Sequence, residues 1–151
     1  MSDRVETHAY GLGVTLARPY EETVEAVRGA LGEQGFGVLT EIDVRATMQA
    51  KLGVEMAPQV ILGACNPPLA HRALTAEPSI GLLLPCNVVV RAEDESRTHV
   101  EALDPGLMAG VTGNPELEEV AAEARERLSG ALAALGGHRA SAPGEVPTGV
   151  S

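Results

Sequence analysis

Residues 60–68 read Val-Ile-Leu-Gly-Ala-Cys-Asn-Pro-Pro, and this stretch decides the interpretation of the chain around it. The apolar run is typical of a β-strand that is buried on both faces. Asn66 followed by Pro67 predicts that a helix begins next, because asparagine caps helix starts and proline suits the first turn. A similar segment at residues 81–88 reads Gly-Leu-Leu-Leu-Pro-Cys-Asn-Val. The two segments hold Cys65 and Cys86, the two cysteines of the chain.

The segments before this stretch alternate between strand and helix patterns. Residues 8–16 carry apolar side chains with a period of two, which predicts a strand with one buried face. A helix is predicted to begin near Pro19, and residues 36–42 return to the period of a strand. Asp43 is a plausible cap for a shorter helix that ends before the strand predicted at residues 59–64.

The segments after it are less regular. Residues 80–90 form a long apolar run, but Pro85 cannot donate a hydrogen bond to a neighbouring strand. We therefore predict a bulge, an edge position or two short strands that meet there. Residues 97–103 are predicted to return as a hairpin strand, residues 104–106 to form a turn and residues 110–113 to form a loop. Asn114 is predicted to cap the longest helix, because a proline and several glutamates follow it.

This order of elements predicts an α+β single domain with an antiparallel or mixed sheet and helices packed on one face. The alternative is a ferredoxin-like split βαβ arrangement. Residues 1–7 are interpreted as a short N-terminal lead, residues 8–135 as the domain and residues 136–151 as a disordered tail. Because an uncovered sheet face would need a partner, we expect a homodimer.

Composition and charge exclude several classes of function. The 151 residues carry 21 acidic and 11 basic side chains, for a formal net charge of −10. Such a chain repels nucleic acid and anionic membranes at long range, so we expect neither as a partner. No apolar run is long enough for a membrane span, and the N-terminal residues do not resemble a secretory signal. We therefore expect a cytoplasmic protein with free thiols.

The two cysteine segments, together with Leu103-Asp104-Pro105 and residues 18–23 (Arg-Pro-Tyr-Glu-Glu-Thr), resemble the DUF302 family. The resemblance covers roughly residues 8 to 135. It implies a small protein of uncharacterised activity, an α+β fold of β-α-β(4)-α type and a tendency to dimerise. It implies no reaction, cofactor or catalytic residue. Many relatives have the Asn-Pro without the cysteines, so this chain resembles a subgroup that carries them.

Three interpretations of the cysteines stay open. If the two sulfur atoms meet across the sheet, they would form a redox pair that handles a thiol or sulfur compound. Cys65 would then be the nucleophile, since a helix N-terminus lowers a thiol pKa. Alternatively, Cys65 and Cys86 would bind a soft metal together with Met48, Met56 or His71. The third interpretation is burial as small apolar residues, which is the common fate of cysteine.

Asn66, Asn87 and Asp104 complete the candidate site. The two amides would hydrogen-bond a ligand beside the thiols, although helix capping also explains Asn66 and a bulge also explains Asn87. Asp104 would either cap a turn or supply a carboxylate near the site, and His99 is predicted to face solvent.

The leading hypothesis is a small dimeric protein that binds or senses a small ligand or soft metal at a paired Cys-Asn site. A sulfur-handling redox enzyme and a purely structural dimeric interaction module are the alternatives. The residues require no cofactor.

Overall fold

The computed structural model describes residues 4–136, so the predicted disordered tail lies outside the described residues except for Gly136. Two 3₁₀ turns, Pro78–Leu83 and Pro115–Leu117, accompany the regular elements. The strands are β1 (Glu6–Thr7), β2 (Gly11–Leu16), β3 (Gly37–Asp43), β4 (Gln59–Cys65), β5 (Cys86–Ala92) and β6 (Thr98–Leu103). The helices are α1 (Tyr20–Glu33), α2 (Val44–Leu52), α3 (Pro67–Ala76), α4 (Gly106–Thr112) and α5 (Glu118–Gly136).

The strands form one six-stranded sheet in the order β1-β2-β6-β5-β4-β3, and every neighbouring pair is antiparallel. The prediction of an α+β single domain with helices packed against the sheet is therefore confirmed. A ferredoxin-like arrangement would place two strands parallel to each other, so that alternative is wrong.

Side chains alternate between the two faces of the sheet, as a pleated strand requires. One face, called the helix face below, packs against α1 and α5 and forms the main core. The other, called the open face, holds the intervening positions of each strand. The helix face comprises Leu12, Val14, Leu16, Val60, Leu62, Ala64, Cys86, Val88, Val90, Thr98, Val100 and Ala102, all of them buried.

A second group of buried apolar side chains lies beside the main core. It joins α3, α4, α5 and the 3₁₀ turn Pro78–Leu83 around Ile80 and Leu117, neither of which is exposed to solvent. Burial of this group fixes α3 against α5, and Arg72 of α3 adds an ion pair to Glu123 of α5 at 2.9 Å. The start of α3 is therefore held from two sides.

Asp43 and Asn66 cap α2 and α3 as predicted, whereas Asn114, predicted to cap the longest helix, caps the 3₁₀ turn Pro115–Leu117 that leads into α5. Each side chain accepts a hydrogen bond from a backbone N–H in the first turn that follows it. These bonds satisfy donors that a helix start otherwise leaves unpaired.

Two segments differ from the prediction. The first half of residues 80–90 forms the 3₁₀ turn Pro78–Leu83 and not a strand, and β5 begins only after Pro85. Gly106, predicted as part of a turn, and residues 110–112, predicted as part of a loop, belong to α4. Met108 of α4 is buried in the second apolar group, so tertiary packing outweighs the weak helix propensity of this segment.

Among the described residues, no helix combines the length and the apolar character that a membrane crossing needs.

Candidate functional site

The five candidate residues converge on one end of the sheet. Cys65 ends β4, Cys86 begins β5, and Asp104 directly follows β6. Asn66 and Asn87 are the next residues in the chain after the two cysteines. The candidate residues therefore lie at one end of the sheet, but they divide between its two faces.

The prediction of a cysteine pair is wrong. In the register of β4 and β5, Cys86 lies opposite Ala64, so Cys86 shares the helix face with Ala64. Cys65 is the next residue after Ala64, and its side chain points to the open face. The two thiols thus lie on opposite sides of the sheet and not beside each other. The two Cys-Asn motifs are alike in sequence. The face of the sheet that each cysteine occupies depends on strand register, which the motifs do not show.

Cys86 is poorly suited to chemistry at neutral pH. Its side chain is 6% exposed and belongs to the main core. Burial raises the pKa of its thiol to about 11, and negative charge on Cys65 would add a smaller increase in the same direction. Because the thiolate is the reactive and metal-binding form of cysteine, Cys86 acts as a small apolar core residue.

Cys65 lies immediately before α3, but the first turn of this helix offers it no free amide donor. Pro67 and Pro68 have no N–H group. The N–H of Leu69 donates to the side chain of Asn66 at 3.3 Å, and the N–H of Ala70 donates to its carbonyl oxygen. The hydrogen bonds that would favour a Cys65 thiolate are therefore not available at this helix start.

Both the oxygen and the nitrogen of the Asn66 side-chain amide make structural hydrogen bonds. Its oxygen caps α3, and its Nδ2 donates to the carbonyl oxygen of Gln34 at 3.4 Å. The neighbouring Gly35 has a φ of +86°, and a Cβ there would approach Asn66 Nδ2 to 2.9 Å. Gly35 thus lets the end of α1 meet the start of α3, and Asn66 joins the two.

Asn87 lies on the open face, directly opposite Gly63 and diagonally across from Cys65. Diagonal neighbours on adjacent strands have Cβ atoms roughly 7–8 Å apart. Thr40 and Pro85 lean over Gly63, whose lack of a side chain makes the space that they fill. We call Thr40, Gly63, Cys65, Pro85 and Asn87 the open-face corner.

Polar side chains in the open-face corner have no partner among the residues that the structure describes. Within residues 4–136, the amide of Asn87, the thiol of Cys65 and the hydroxyl of Thr40 take part in no side-chain hydrogen bond. Asn87 and Thr40 are exposed, and Cys65 is half-buried. An amide, a thiol and a hydroxyl are thus available to a bound molecule at this corner.

Asp104 belongs to a different environment. It accepts hydrogen bonds from the N–H of Gly106 at 2.9 Å and from Nε of Arg125 in α5 at 3.1 Å. It therefore ties the end of β6 to α5 and begins the turn into α4. Both contacts place Asp104 on the helix side of the sheet, away from the open-face corner.

The candidate metal ligands are also dispersed. Met48 and Met56 precede β4, whereas Cys65 ends it, and β4 spans roughly 20 Å at about 3.4 Å per residue. His71 is exposed on α3. Across residues 4–136, no group of three or more histidine, cysteine, aspartate and glutamate side chains is arranged to hold a metal ion.

The cavity found beneath the helix face is too small for a ligand. A cavity of about 10 Å³ lies between α1, α5 and the helix face and is lined by apolar side chains. A volume of this size corresponds to about one water molecule.

A polar cluster on the open face was not predicted from the sequence. Glu101 of β6 accepts a hydrogen bond from Nη1 of Arg91 at 3.1 Å and lies 2.6 Å from Nε2 of His8. His99 Nε2 is 3.9 Å from Glu101, and its Nδ1 is 2.8 Å from the Thr15 hydroxyl. We call His8, Arg91, His99 and Glu101 the histidine–glutamate cluster.

The cluster is fixed by contacts on every side. Nδ1 of His8 accepts the N–H of Tyr10 at 3.3 Å, so Nε2 carries the proton that is donated to Glu101. Burial raises the pKa of Glu101, but hydrogen bonds from His8 and Arg91 outweigh it and lower the pKa overall. Burial and the charge of Arg91 lower the pKa of His99.

Two glycines explain where the histidine rings lie. A Cβ on Gly11 would approach Nε2 of His8 to 2.6 Å, and a Cβ on Gly13 would approach Nε2 of His99 to 3.0 Å. The two glycines of the Gly-x-Gly pattern therefore leave room for the His8 and His99 rings to pack against β2. Only 19% of the His99 side chain is exposed, so the prediction of a solvated His99 is wrong.

A family model described as "Domain of unknown function DUF302" matches residues 12–135. The chain belongs to the DUF302 family. A crystal structure of an uncharacterized conserved DUF302 protein from Bacillus stearothermophilus is similar, with 32% sequence identity and a TM-score of 0.78. The similarity covers 85% of this chain and 99% of that one. No curated protein matches the chain.

Membership of the DUF302 family identifies no reaction. A function for this chain must therefore be inferred from its own residues. The open face holds two groups of polar side chains, the open-face corner and the histidine–glutamate cluster. One sequence signal could have pointed to the cluster. His99 and Glu101 share one parity of a strand whose other parity is apolar.

Proposed function

We propose that this DUF302 protein is a homodimer that binds a small polar ligand at the open-face corner. One observation carries the proposal: the amide of Asn87, the thiol of Cys65 and the hydroxyl of Thr40 lie on one accessible surface, and none of them has a side-chain hydrogen bond within residues 4–136. Binding sites commonly contain a few such convergent polar groups. A cytoplasmic location remains a prediction.

The proposal replaces the paired Cys-Asn site by a site with one thiol. Asn66 and Cys86 stabilise the structure around this site. Asn66 caps α3, and Cys86 belongs to the core beneath β5. The presence of Cys65 would then distinguish the ligand of this subgroup from that of relatives without the cysteine. The absence of free amide donors at the first turn of α3 favours ligand binding over nucleophilic chemistry at Cys65.

The test is a fragment screen by two-dimensional ¹H–¹⁵N NMR on the full chain. Small polar fragments that bind are expected to shift the backbone signals of Thr40, Cys65 and Asn87 together. Asn87→Ala and Cys65→Ser should weaken the binding of those fragments at least about tenfold, which corresponds to about 1.4 kcal/mol for a lost polar contact.

Leu82→Ala provides the matched control, because Leu82 is 88% exposed and lies in the 3₁₀ turn outside the sheet. It should leave fragment affinity unchanged. Fragments that bind only to other surfaces, or a screen without any shift at the corner, would refute the ligand site. Sedimentation analysis tests the dimer separately, with an expected mass of twice the 15.6 kDa of the chain.

A further inference from the structure

We infer that the ligand of the open-face corner is a small organic cation with N–H donors, and that Glu101 determines this preference. The inference rests on the proposed ligand site and names the chemical class that the site takes.

The carboxylate of Glu101 borders the open-face corner. Val89 of β5 lies opposite Glu101 of β6, and Asn87 precedes Val89 by two positions on the same face. Glu101 is therefore a diagonal neighbour of Asn87, with Cβ atoms roughly 7–8 Å apart. Asn87 thus lies between the thiol of Cys65 on one side and a carboxylate on the other.

This carboxylate extends toward the end of the sheet that holds the corner. Oε2 of Glu101 lies 2.6 Å from Nε2 of His8, and the His8 ring packs against Gly11. Gly11 begins β2 at the end of the sheet where β6 ends and β5 begins. Arg91, the other partner of Glu101, lies four residues beyond Asn87 on β5, which is roughly 13 Å at about 3.4 Å per residue. A molecule at the corner therefore meets the acidic side of the cluster before the basic one.

The surroundings of Glu101 hold more negative than positive charge. Glu6 lies in the same row, opposite Gly13, which in turn lies opposite Glu101. The carboxylate of Glu93 is 3.8 Å from Nε of Arg91 and acts on the same part of the face. Three carboxylates therefore share one guanidinium group.

The two histidines of the cluster add no positive charge at neutral pH. His8 accepts the N–H of Tyr10 at Nδ1 and donates from Nε2, which is the pattern of an uncharged ring. Burial and the charge of Arg91 lower the pKa of His99, so this ring is uncharged as well. The negative charge around Glu101 is therefore not compensated by its neighbours.

The corner itself offers hydrogen-bond acceptors and no positive charge. None of its five residues is ionised, and the oxygens of the Asn87 amide and the Thr40 hydroxyl both accept N–H donors. Both side chains are exposed, so a cation that binds there keeps part of its hydration. An anion would instead meet the negative field of Glu101 and of a chain with a net charge of −10.

Three fragments of the same shape and different charge test the inference: the acetamidinium cation, uncharged acetamide and the acetate anion. Two-dimensional ¹H–¹⁵N NMR on the full chain measures the affinity of each from the shifts of Thr40, Cys65 and Asn87. At about 0.15 M salt the Debye length is about 8 Å, so Glu101 acts on the fragment while distant charges are screened. Acetamidinium should bind about threefold to tenfold more tightly than acetamide, and acetate should bind most weakly.

Three variants locate the origin of the preference. Glu101→Gln should lower the ratio of acetamidinium to acetate affinity at least about threefold, because it removes the bordering carboxylate. Glu93→Gln alters an exposed side chain and should lower the ratio by a smaller factor, which keeps the test valid if Glu101→Gln does not fold. Glu126→Gln removes the same charge from an exposed position of α5 and should leave the ratio unchanged.

Acetate or acetamide that binds the corner as tightly as acetamidinium would refute the inference and leave the ligand site intact. The same holds for a ratio that neither Glu101→Gln nor Glu93→Gln changes, and for a corner that takes other fragments of the screen but none of these three. If no fragment shifts the signals of the corner, the ligand site and the inference fail together.

Discussion

Leu62 and Ile61 are neighbours in β4, yet they meet different surroundings on the two sides of one sheet. Leu62 is fully buried on the helix face, between other aliphatic side chains of the main core. Ile61 lies on the open face, in an apolar row beside the histidine–glutamate cluster. The same alternation separates Cys86 from Cys65. In this molecule, strand register decides which residues stabilise the fold and which are available to other molecules.

The largest effect that distinguishes the two faces is expected for Leu62→Ala. Removal of this buried side chain leaves a cavity in the core and should lower the free energy of unfolding by about 2–5 kcal/mol. Ile61→Ala should cost about 1 kcal/mol, because its position is only half-buried. Urea unfolding at one fixed chain concentration compares the two. Equal losses would contradict the assignment of the faces.

Gly63 of the open-face corner gives the next largest effect. Gly63→Ala introduces a Cβ that collides with Thr40 and lies 2.8 Å from the ring of Pro85. The rigid ring cannot move aside easily, so the expected loss in unfolding free energy is about 1–3 kcal/mol. Gly37→Ala is the matched control on the neighbouring strand, because its Cβ meets nothing within 4 Å. Thermal unfolding of both variants checks the difference.

The two asparagines should separate stability from binding. Asn66→Ala removes the cap of α3 and should lower the free energy of unfolding by about 0.5–2 kcal/mol. Asn87→Ala alters an exposed side chain and should change stability by less than about 0.5 kcal/mol. Denaturant titrations measure both values. If Asn87 proved the more important for stability, its proposed role in ligand binding would lose its basis.

Much of the fold could be predicted from the sequence because local patterns determined it. Periodic apolar side chains marked the strands and long helices, and Asp43, Asn66 and Asn114 marked helix starts by capping chemistry. Helix α4 could not be predicted in this way. Its glycines disfavour a helix, and only the burial of Met108 against distant elements explains it.

The candidate site was predictable in position but not in arrangement. The Cys-Asn segments located one end of the sheet, but the face of each cysteine depends on how β4 and β5 pair. Pairing is a long-range property that two similar motifs do not reveal. The histidine–glutamate cluster was missed for the same reason, because His8 and Glu101 lie 93 positions apart in sequence.

Thiol titration of the native protein tests the central claim, that the two cysteines lie on opposite faces and only Cys65 is available. Burial raises the pKa of Cys86 to about 11, so at neutral pH this thiol holds far less thiolate than a free cysteine. One thiol should therefore react in the wild type and in Cys86→Ala, and none in Cys65→Ala until the chain is unfolded. Rapid reaction of both thiols, or a disulfide between them, would contradict the account.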